Sequence, residues 1–241
     1  MISVSHDPSR PVWYLDEVAH AGPEHLDPAY VASYDAKAGF DPADELARLR
    51  QLGLNASSTL VDLGAGSGVL ALAAAPHCRR VVAVDVSPAM QAALTRRRAE
   101  LGLANVEVVQ AGFLSYAHTG TPADFVFSRH ALHQLPDFWK VIALRRIASI
   151  LKPGGVLRVR DLFLSCPPAE VEAVVEAWLA GAATDTAAGW TRPELEAHLQ
   201  TEHSTFTWLF EPMLVQTGFE IRETTYSPSR TYASYTCVRS T

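Results

Sequence analysis

A glycine-rich turn is the first feature of this sequence that could bind a ligand. Residues 64–68 read Gly-Ala-Gly-Ser-Gly and directly follow the apolar segment Thr59–Leu63. Glycine adopts positive φ and carries no Cβ, so the backbone can turn tightly beside a ligand. Asp85 ends the next apolar segment, where a carboxylate can accept hydrogen bonds from both ribose hydroxyls. This pairing predicts a Rossmann-like nucleoside site.

The spacing of the glycines separates three kinds of nucleotide site. Dinucleotide sites carry G-x-G-x-x-G, in which the third glycine lets helix and strand pack closely around a pyrophosphate. Val69 stands at that third position, and no Gly-Lys-Ser/Thr follows as a P-loop requires. The spacing here is G-x-G-x-G. It favours a nucleoside cofactor without phosphates, and S-adenosylmethionine is such a cofactor.

The same run resembles the first two motifs of class I S-adenosylmethionine-dependent methyltransferases. It reads Val-Asp-Leu-Gly-Ala-Gly-Ser-Gly over 61–68, with Asp85 after it. Residues 124–135 resemble the fourth-strand segment of that class, and 151–155 its turn into the fifth strand. The resemblance covers 41–165 and is closest to quinone-biosynthesis and other small-molecule methyltransferases. It implies S-adenosyl-L-methionine as cofactor and S-adenosyl-L-homocysteine as product.

The resemblance also assigns cofactor-binding residues. Asp62 and the glycine turn would surround the methionine part, and Asp85 would hold the ribose. Many relatives place an acidic residue after the third strand to accept from the adenine amino group, whereas this chain has Gly112 there. Adenine recognition is therefore expected to fall to backbone groups and to Phe113. The whole predicted set is Asp62, Gly64, Ala65, Gly66, Gly68, Asp85, Val86, Met90, Gly112, Phe113 and Ser128.

Two histidines follow the fourth predicted strand, at the carboxyl edge where open α/β sheets bind ligands. Methyl transfer is an in-line displacement, so holding donor and nucleophile in line supplies most of the catalysis. Where the acceptor needs a general base, histidine has a suitable pKa, and His130 and His133 are the predicted catalytic residues. A role in shaping the loop fits either histidine equally well. Asp161 could serve at the same edge, or pair with Arg129 or Arg160.

The methyl acceptor is expected to be a small molecule. A formal net charge of -6 offers no basic field for nucleic acid, although 96–98 is a run of three arginines. Relatives that methylate amino groups of bases or glutamine carry Asn/Asp-Pro-Pro-aromatic after the fourth strand, where 128–131 reads Ser-Arg-His-Ala. Methylation of RNA or protein stays an alternative, as does a cofactor-binding module without catalytic activity.

The positions of the cysteines indicate whether a metal site is expected, and the lengths of the apolar segments indicate where in the cell the protein is expected. The three cysteines lie far apart, with no C-x-x-C pair and no neighbouring histidine at metal-ligand spacing, so no metal is expected. The N-terminal residues contain no apolar core of signal-peptide length, and no later run of apolar residues is long enough to span a membrane. A cytoplasmic location without membrane association is therefore expected. The sequence does not indicate an oligomeric state.

The elements that must position these residues alternate short apolar segments with longer helical stretches. With the resemblance, this pattern predicts an α/β, Rossmann-like class I methyltransferase fold: a mostly parallel seven-stranded sheet with an antiparallel C-terminal strand. Predicted strands cover 59–63, 81–86, 106–110, 124–128, 155–161, 219–226 and 231–238. Predicted helices cover 41–53, 69–75, 88–101, 138–151, 168–183 and 206–217, and a capping box at 191–194 begins another.

One domain is predicted over residues 1–241. It comprises an N-terminal arm or lid (1–40), a cofactor-binding core (41–164), a helical insertion after the fifth strand (165–205), and a C-terminal helix and hairpin (206–241). The arm and the insertion match no motif, and in this class such parts usually form the acceptor pocket. Their candidate lining residues are Tyr14, Tyr30, Tyr34, Trp190 and Trp208.

Overall fold

The computed structural model describes residues 11–186 and 188–240, in which helices pack on both faces of a seven-stranded sheet. The first ten residues of the predicted arm lie outside the described residues. The strands are β1 (Thr59–Leu63), β2 (Arg80–Asp85), β3 (Val106–Gln110), β4 (Ala123–Arg129), β5 (Leu151–Asp161), β6 (Phe163–Leu164), β7 (Thr205–Phe206), β8 (Phe219–Tyr226) and β9 (Ala233–Arg239). The helices are α1 (Pro28–Ala38), α2 (Ala43–Gln51), α3 (Val69–Ala74), α4 (Pro88–Glu100), α5 (Asp137–Ile150), α6 (Val171–Ala180), α7 (Arg192–Thr201) and α8 (Thr207–Gln216).

The large sheet has the strand order β3-β2-β1-β4-β5-β9-β8. Strands β1 to β5 run parallel, whereas β9 runs antiparallel to both of its neighbours. This architecture confirms the predicted α/β fold and its antiparallel C-terminal strand. The strand order reverses between β1 and β4, and a ligand crevice is expected there, outside the carboxyl ends of the strands.

Two apolar cores, one on each face of the sheet, hold the helices in place. Strand β1 is buried along its whole length. Its Val61 and Leu63 join one core and its Leu60 the other, because successive side chains of a strand point to opposite faces. Helices α5 and α8 cover the first core, and α2, α3 and α4 cover the second. The end of β1 is thereby held rigidly where the glycine turn begins.

Local end signals correctly predict where several elements begin. The Ser87 hydroxyl accepts from the Met90 amide at 3.1 Å and caps α4. Thr191 and Glu194 form the expected capping box of α7. The predicted start of the fifth strand at 155 is wrong, because Leu151 already pairs with Ala123 across an irregularity in the β4–β5 ladder.

The insertion is bracketed by a small sheet that the sequence did not predict. Strand β6 pairs in parallel with β7, so the chain leaves and re-enters the core at one short ladder. Two-residue strands carry no periodic signal, which is why this pairing went unpredicted. The predicted helix 168–183 is shorter than expected, since a 3-10 turn precedes α6, which ends at Ala180. Among the described helices, none combines the length and apolar character needed to cross a membrane.

Candidate functional site

A cavity lies at the carboxyl edge of β1, β2, β3 and β4, with the glycine turn in its wall. Most of the predicted cofactor residues line it: Asp62, Gly64, Ala65, Gly66, Asp85, Val86, Met90, Gly112 and Phe113. Two members of that set, both in the described part of the chain, do not. Gly68 is the N-cap of α3, and the buried Ser128 hydroxyl has no hydrogen-bond partner among the described residues. The structure therefore brings together side chains from four separate strand ends.

The three glycines of the turn all have positive φ, and each has different surroundings. A Cβ on Gly64 would lie 2.3 Å from the Ala131 Cβ, and one on Gly68 would lie 2.6 Å from Leu94 Cγ. A Cβ on Gly66 would meet only the Met90 sulfur, at 3.9 Å. Gly64 therefore allows the loop after β4 to approach the glycine turn closely, and Gly68 allows helix α4 to do the same. Gly66 leaves backbone open toward the cavity.

Asp85 holds the turn in shape from the end of β2. Its two carboxylate oxygens accept from the Gly66 amide at 2.7 Å and from the Ser87 amide at 2.8 Å. Burial raises the pKa of Asp85 above its usual range. Burial, and then the Asp85 charge, raise the pKa of Asp62 to about 7. Two carboxylates thus share one poorly solvated cavity, which favours a ligand that carries positive charge or hydrogen-bond donors.

The N-terminal arm contributes a carboxylate that the sequence did not reveal. Glu17 accepts from the Leu114 amide at 2.8 Å and from the Ser115 hydroxyl at 2.7 Å, and it lines the cavity. A Cβ on Gly112 would lie 2.3 Å from Glu17 Oε1. The missing side chain at Gly112 therefore makes room for an acidic group from elsewhere in the chain. The only sequence signal was the departure at Gly112 itself.

Further contacts hold the arm against the core. The Ser87 hydroxyl donates to the His25 carbonyl at 2.6 Å. Asp35 bonds to the Ser67 hydroxyl and pairs with Arg97 at 2.5 Å. Of the aromatic residues predicted to line a pocket, Tyr34 lies in the cavity wall, whereas Tyr14, Tyr30, Trp190 and Trp208 do not. Tyr14 instead packs edge-on against Trp139, with ring centroids 4.9 Å apart.

His130 lies in the cavity wall with an unusual backbone. Its φ of 49° is in the left-handed region, which a non-glycine residue seldom adopts. Its buried Nε2 has no hydrogen-bond partner within the described residues. Burial, and then the charge of Arg129, lower the pKa of His130 to about 3. The imidazole is therefore neutral at physiological pH, and its buried Nε2 is unsatisfied among the described residues.

His133 lies outside the cavity wall, between two carboxylates. Its Nδ1 is 2.5 Å from Asp161 Oδ1, and its Nε2 is 2.8 Å from Glu202 Oε2. Burial acts to lower the pKa of His133, but Asp161 and then Glu202 outweigh it and raise that pKa to about 10. A histidine that keeps its proton at neutral pH does not serve as a general base. The position of His133 favours the alternative role in shaping the loop.

Asp161 organises the loop after β4. It accepts from the backbone amides of Ala131, Leu132 and His133, at 3.2, 2.7 and 3.1 Å. Burial opposes its ionisation, but the charge and the hydrogen bond of His133, and then the Leu162 amide, hold its pKa well below the usual range. The hypothesis that it pairs with Arg129 or Arg160 is wrong, because its carboxylate is taken up by His133 and by the loop amides. Asp161 thus positions His133 and the loop that follows His130.

Residues 60–155 match the family model described as a methyltransferase domain. That segment includes the glycine turn, Asp85 and both histidines. This segment belongs to the methyltransferase-domain family.

The solved and curated methyltransferases that this chain resembles are diverse. The Haemonchus contortus phospholethanolamine N-methyltransferase 2, solved with phosphomonomethylethanolamine and S-adenosylhomocysteine, superposes with a TM-score of 0.68 at 16% identity, over 95% of this chain and 61% of that chain. An uncharacterized methyltransferase of Schizosaccharomyces pombe is 36% identical over 51% of this chain and 46% of its own length. The 27-O-demethylrifamycin SV methyltransferase of Amycolatopsis mediterranei is 30% identical over 52% of this chain and 46% of its own length.

The matches to these two curated relatives thus span less than half of the length of either one. The segment that matches the family model holds the cofactor-site motifs, whereas the arm lies outside it. The likeness to the solved structure shows the fold alone at this identity.

Proposed function

We propose that this methyltransferase binds S-adenosyl-L-methionine in the cavity and transfers its methyl group to a small molecule. The observation that carries the proposal is the convergence of the glycine turn, Asp62 and Asp85 in one cavity wall. When bound, S-adenosylmethionine supplies a methyl group on a sulfonium, which needs no covalent help from the enzyme. The chain's own contribution is to bind the cofactor and the acceptor, to orient them in line, and to exclude water.

The donor side is assigned by charge and hydrogen-bonding capacity. Asp85, already fixed by the Gly66 and Ser87 amides, would accept from the ribose hydroxyls. Asp62 is buried in the same wall, so its carboxylate would pair with the ammonium of the methionine part. The backbone at Gly66 is open to the cavity and allows close approach of the ligand.

The adenine end is assigned to Glu17. Its carboxylate occupies the space that Gly112 leaves beside the end of β3. Two donors from the core, the Leu114 amide and the Ser115 hydroxyl, fix its direction. Such a carboxylate would accept from the exocyclic amino group of adenine. This assignment replaces the expectation that backbone groups and Phe113 alone recognise the base.

Glu17→Gln is expected to weaken binding of S-adenosylhomocysteine about tenfold, because a hydrogen bond to a charged acceptor becomes a neutral one. The hypoxanthine analogue S-inosylhomocysteine, which lacks the amino group, should lose much less affinity from the same change. Isothermal titration calorimetry of both ligands measures the difference. Asp16→Asn, on the exposed arm beside it, is the matched control. Equal losses for the two ligands would remove Glu17 from base recognition.

The acceptor side is assigned to His130. Its neutral imidazole and unsatisfied Nε2 could hold a hydroxyl, phenol or amine of the acceptor in line with the methyl group. A pKa of about 3 makes it a weak base, so we assign it a hydrogen bond that orients the acceptor. The sequence also predicts His133 as a catalytic residue. Its side chain does not line the cavity, so we assign it a positioning role: it helps to shape the loop that carries His130.

His130→Ala is expected to lower the rate of methyl transfer about a hundredfold while S-adenosylhomocysteine affinity stays within about threefold. The measurement is incorporation of label from S-adenosylmethionine into a small-molecule extract, with calorimetry for the affinity. His77→Ala, on the turn after α3, is the control. An unchanged rate would show that the His130 ring does not orient the acceptor.

A small acceptor is supported by the way the arm encloses the cavity and by the net charge of -6. The Amycolatopsis mediterranei relative is named for a small-molecule substrate, which supports the same class.

Labelled S-adenosylmethionine, incubated with separate small-molecule and macromolecular extract fractions, tests the proposal. Label in the small-molecule fraction supports it. Label in RNA or protein alone, or tight binding without transfer, would overturn it in favour of the alternatives. A cytoplasmic location belongs to the same proposal and is checked by cell fractionation.

A further inference from the structure

Three side chains outside the cavity wall come together from distant parts of the chain. His133 lies in the loop after β4, His198 on the last turn of α7, and Glu202 at the C-terminal end of that helix. One potential ligand atom from each lies within 4.8 Å of the other two. His198 and Glu202 are four residues apart, so they lie on one face of the helix end.

Both histidines direct one ring nitrogen at the same oxygen. Glu202 Oε2 is 2.8 Å from His133 Nε2 and 2.6 Å from His198 Nδ1. The other nitrogen of each ring meets an oxygen behind it: Asp161 Oδ1 at 2.5 Å from His133 Nδ1, and Ser204 Oγ at 2.8 Å from His198 Nε2. A hydrogen bond from the outer ring nitrogen to a carboxylate or another oxygen is the usual arrangement of metal-ligating histidines.

The arrangement requires positive charge between the rings and the carboxylate. When Asp161 accepts the Nδ1 proton of a neutral His133, the Nε2 lone pair faces Glu202 Oε2. The same holds for His198 when Ser204 accepts from its Nε2. Lone pairs that face a carboxylate repel it unless protons or a cation lie between them. His133 has a carboxylate at each ring nitrogen, so it needs either a second proton or a cation between it and Glu202, and one divalent cation supplies that charge.

We propose that His133, His198 and Glu202 bind a divalent transition-metal ion of the Zn²⁺ class. Two imidazoles and one carboxylate suit Zn²⁺, Co²⁺ or Ni²⁺ and not Mg²⁺ or Ca²⁺, which prefer all-oxygen sets. Zinc bonds of about 2.0–2.2 Å place tetrahedral ligand atoms about 3.3 Å apart, so the two short contacts would open by about half an ångström. Water completes the fourth position.

The cysteine spacing did not predict this site, because its ligands are two histidines and a glutamate that only the folded chain brings together. His133 belongs to the core and the other two ligands to the insertion, so the ion would fasten α7 to the loop after β4. Gln134, the neighbour of His133, lies in the cavity wall and donates to Glu202 at 3.1 Å. The ion would therefore fix the position of the insertion beside the cavity.

The test uses the full chain, stripped with a chelator and titrated with Zn²⁺ and with Co²⁺. We expect one equivalent of either metal, a raised melting temperature, and visible absorption bands of Co²⁺ in a tetrahedral nitrogen and oxygen environment. His198→Ala and Glu202→Gln should each lose the tight equivalent. His118→Ala is the matched control, because His118 is bonded to Tyr116 and Thr121, away from the cluster.

Two results would overturn the proposal. One is the absence of tight metal binding in the unsubstituted chain. The other is equal binding in that chain and in His198→Ala, which would mean adventitious binding by surface histidines. Because His198→Ala could loosen the insertion, the cobalt spectrum of the unsubstituted protein is an independent check. An octahedral aqua-type spectrum there would also sink the proposal. Neither measurement depends on methyl transfer, so this site and the proposed activity can fail separately.

Discussion

Asp85→Asn is expected to weaken the binding of S-adenosylhomocysteine at least about a hundredfold, since hydrogen bonds to a charged acceptor contribute about 1.5–3 kcal/mol each. Asp85 would make two such bonds to the ribose while it also holds the Gly66 and Ser87 amides. Asparagine supplies one oxygen and no charge, so both the ribose contact and the shape of the turn suffer. No other described side chain accepts from the Gly66 amide.

The comparison is made by calorimetry at pH 8, with the melting temperature as a check that the fold persists. Asp41→Asn is the matched control, because Asp41 is an exposed carboxylate that accepts from a backbone amide, that of Ala43, and does not line the cavity. It should bind as the unsubstituted chain does. If Asp85→Asn also kept its affinity, the ribose would have to lie elsewhere, and the placement of the whole cofactor would be wrong.

Asp62→Asn is expected to stabilise the ligand-free protein at pH 8 while it weakens cofactor binding. Burial and the Asp85 charge raise the pKa of Asp62 from 3.8 in the unfolded chain to about 7 in the fold. The protonated carboxyl is therefore the form that the fold favours. Its contribution to stability is present below the unfolded pKa and is lost as the pH rises through the folded pKa. Asparagine resembles the protonated form at every pH.

The stability gap between Asp62→Asn and the unsubstituted chain should therefore widen by on the order of 2 kcal/mol between pH 5 and pH 8. Urea unfolding at the two pH values measures it, and other titrating groups cancel in the comparison. In the same variant, the affinity for S-adenosylhomocysteine should fall about tenfold, because the ammonium loses its charged partner.

Asp124→Asn is a control of opposite sign. Partial burial acts to raise the pKa of Asp124, but Lys152, at 2.5 Å, and the Thr59 amide hold it below its usual range. This carboxylate contributes stability above its unfolded pKa, so its replacement should cost stability at pH 8. A gap for Asp62→Asn that stays constant with pH would contradict the shared-cavity electrostatics on which the proposed donor site rests.

The two effects expected of Asp62→Asn, a more stable ligand-free protein and weaker cofactor binding, would mean that the ionised Asp62 lowers stability and raises affinity. Asp62 and Asp85 lie in one apolar wall, an arrangement that destabilises the ligand-free protein and that a positively charged ligand relieves. The arm adds a third carboxylate, that of Glu17, to the same cavity wall. Ligand binding should accordingly raise the melting temperature more at pH 8 than at pH 5.

The local part of the site could be predicted from the sequence. The bounds of β1, β3 and β8 agree with the apolar patterns that predicted them, because strand burial and end signals are short-range properties. The turn and Asp85 follow β1 and β2 directly, so their meeting at one sheet edge needs only parallel strands. Their role in binding the cofactor remains a prediction that Asp85→Asn tests.

The tertiary structure decided which polar groups share a neighbourhood. Glu17 reaches the end of β3 from the arm, 95 residues before Gly112, and no periodicity in either segment marks that contact. The two histidines after β4 are three residues apart in sequence. His130 lies in the cavity wall and has a lowered pKa, whereas His133 is held between carboxylates and has a raised one.

By itself, then, the sequence determined the α/β fold, the glycine turn and the carboxylate that follows it, because each depends on residues close together in the chain. Only the tertiary structure decided that His133 meets Asp161 and Glu202, that His130 faces the cavity, and that Glu17 occupies the space at Gly112. Those outcomes depend on long-range packing and on burial. Burial sets both the charge of a histidine and the pKa of a carboxylate, and no local pattern records it.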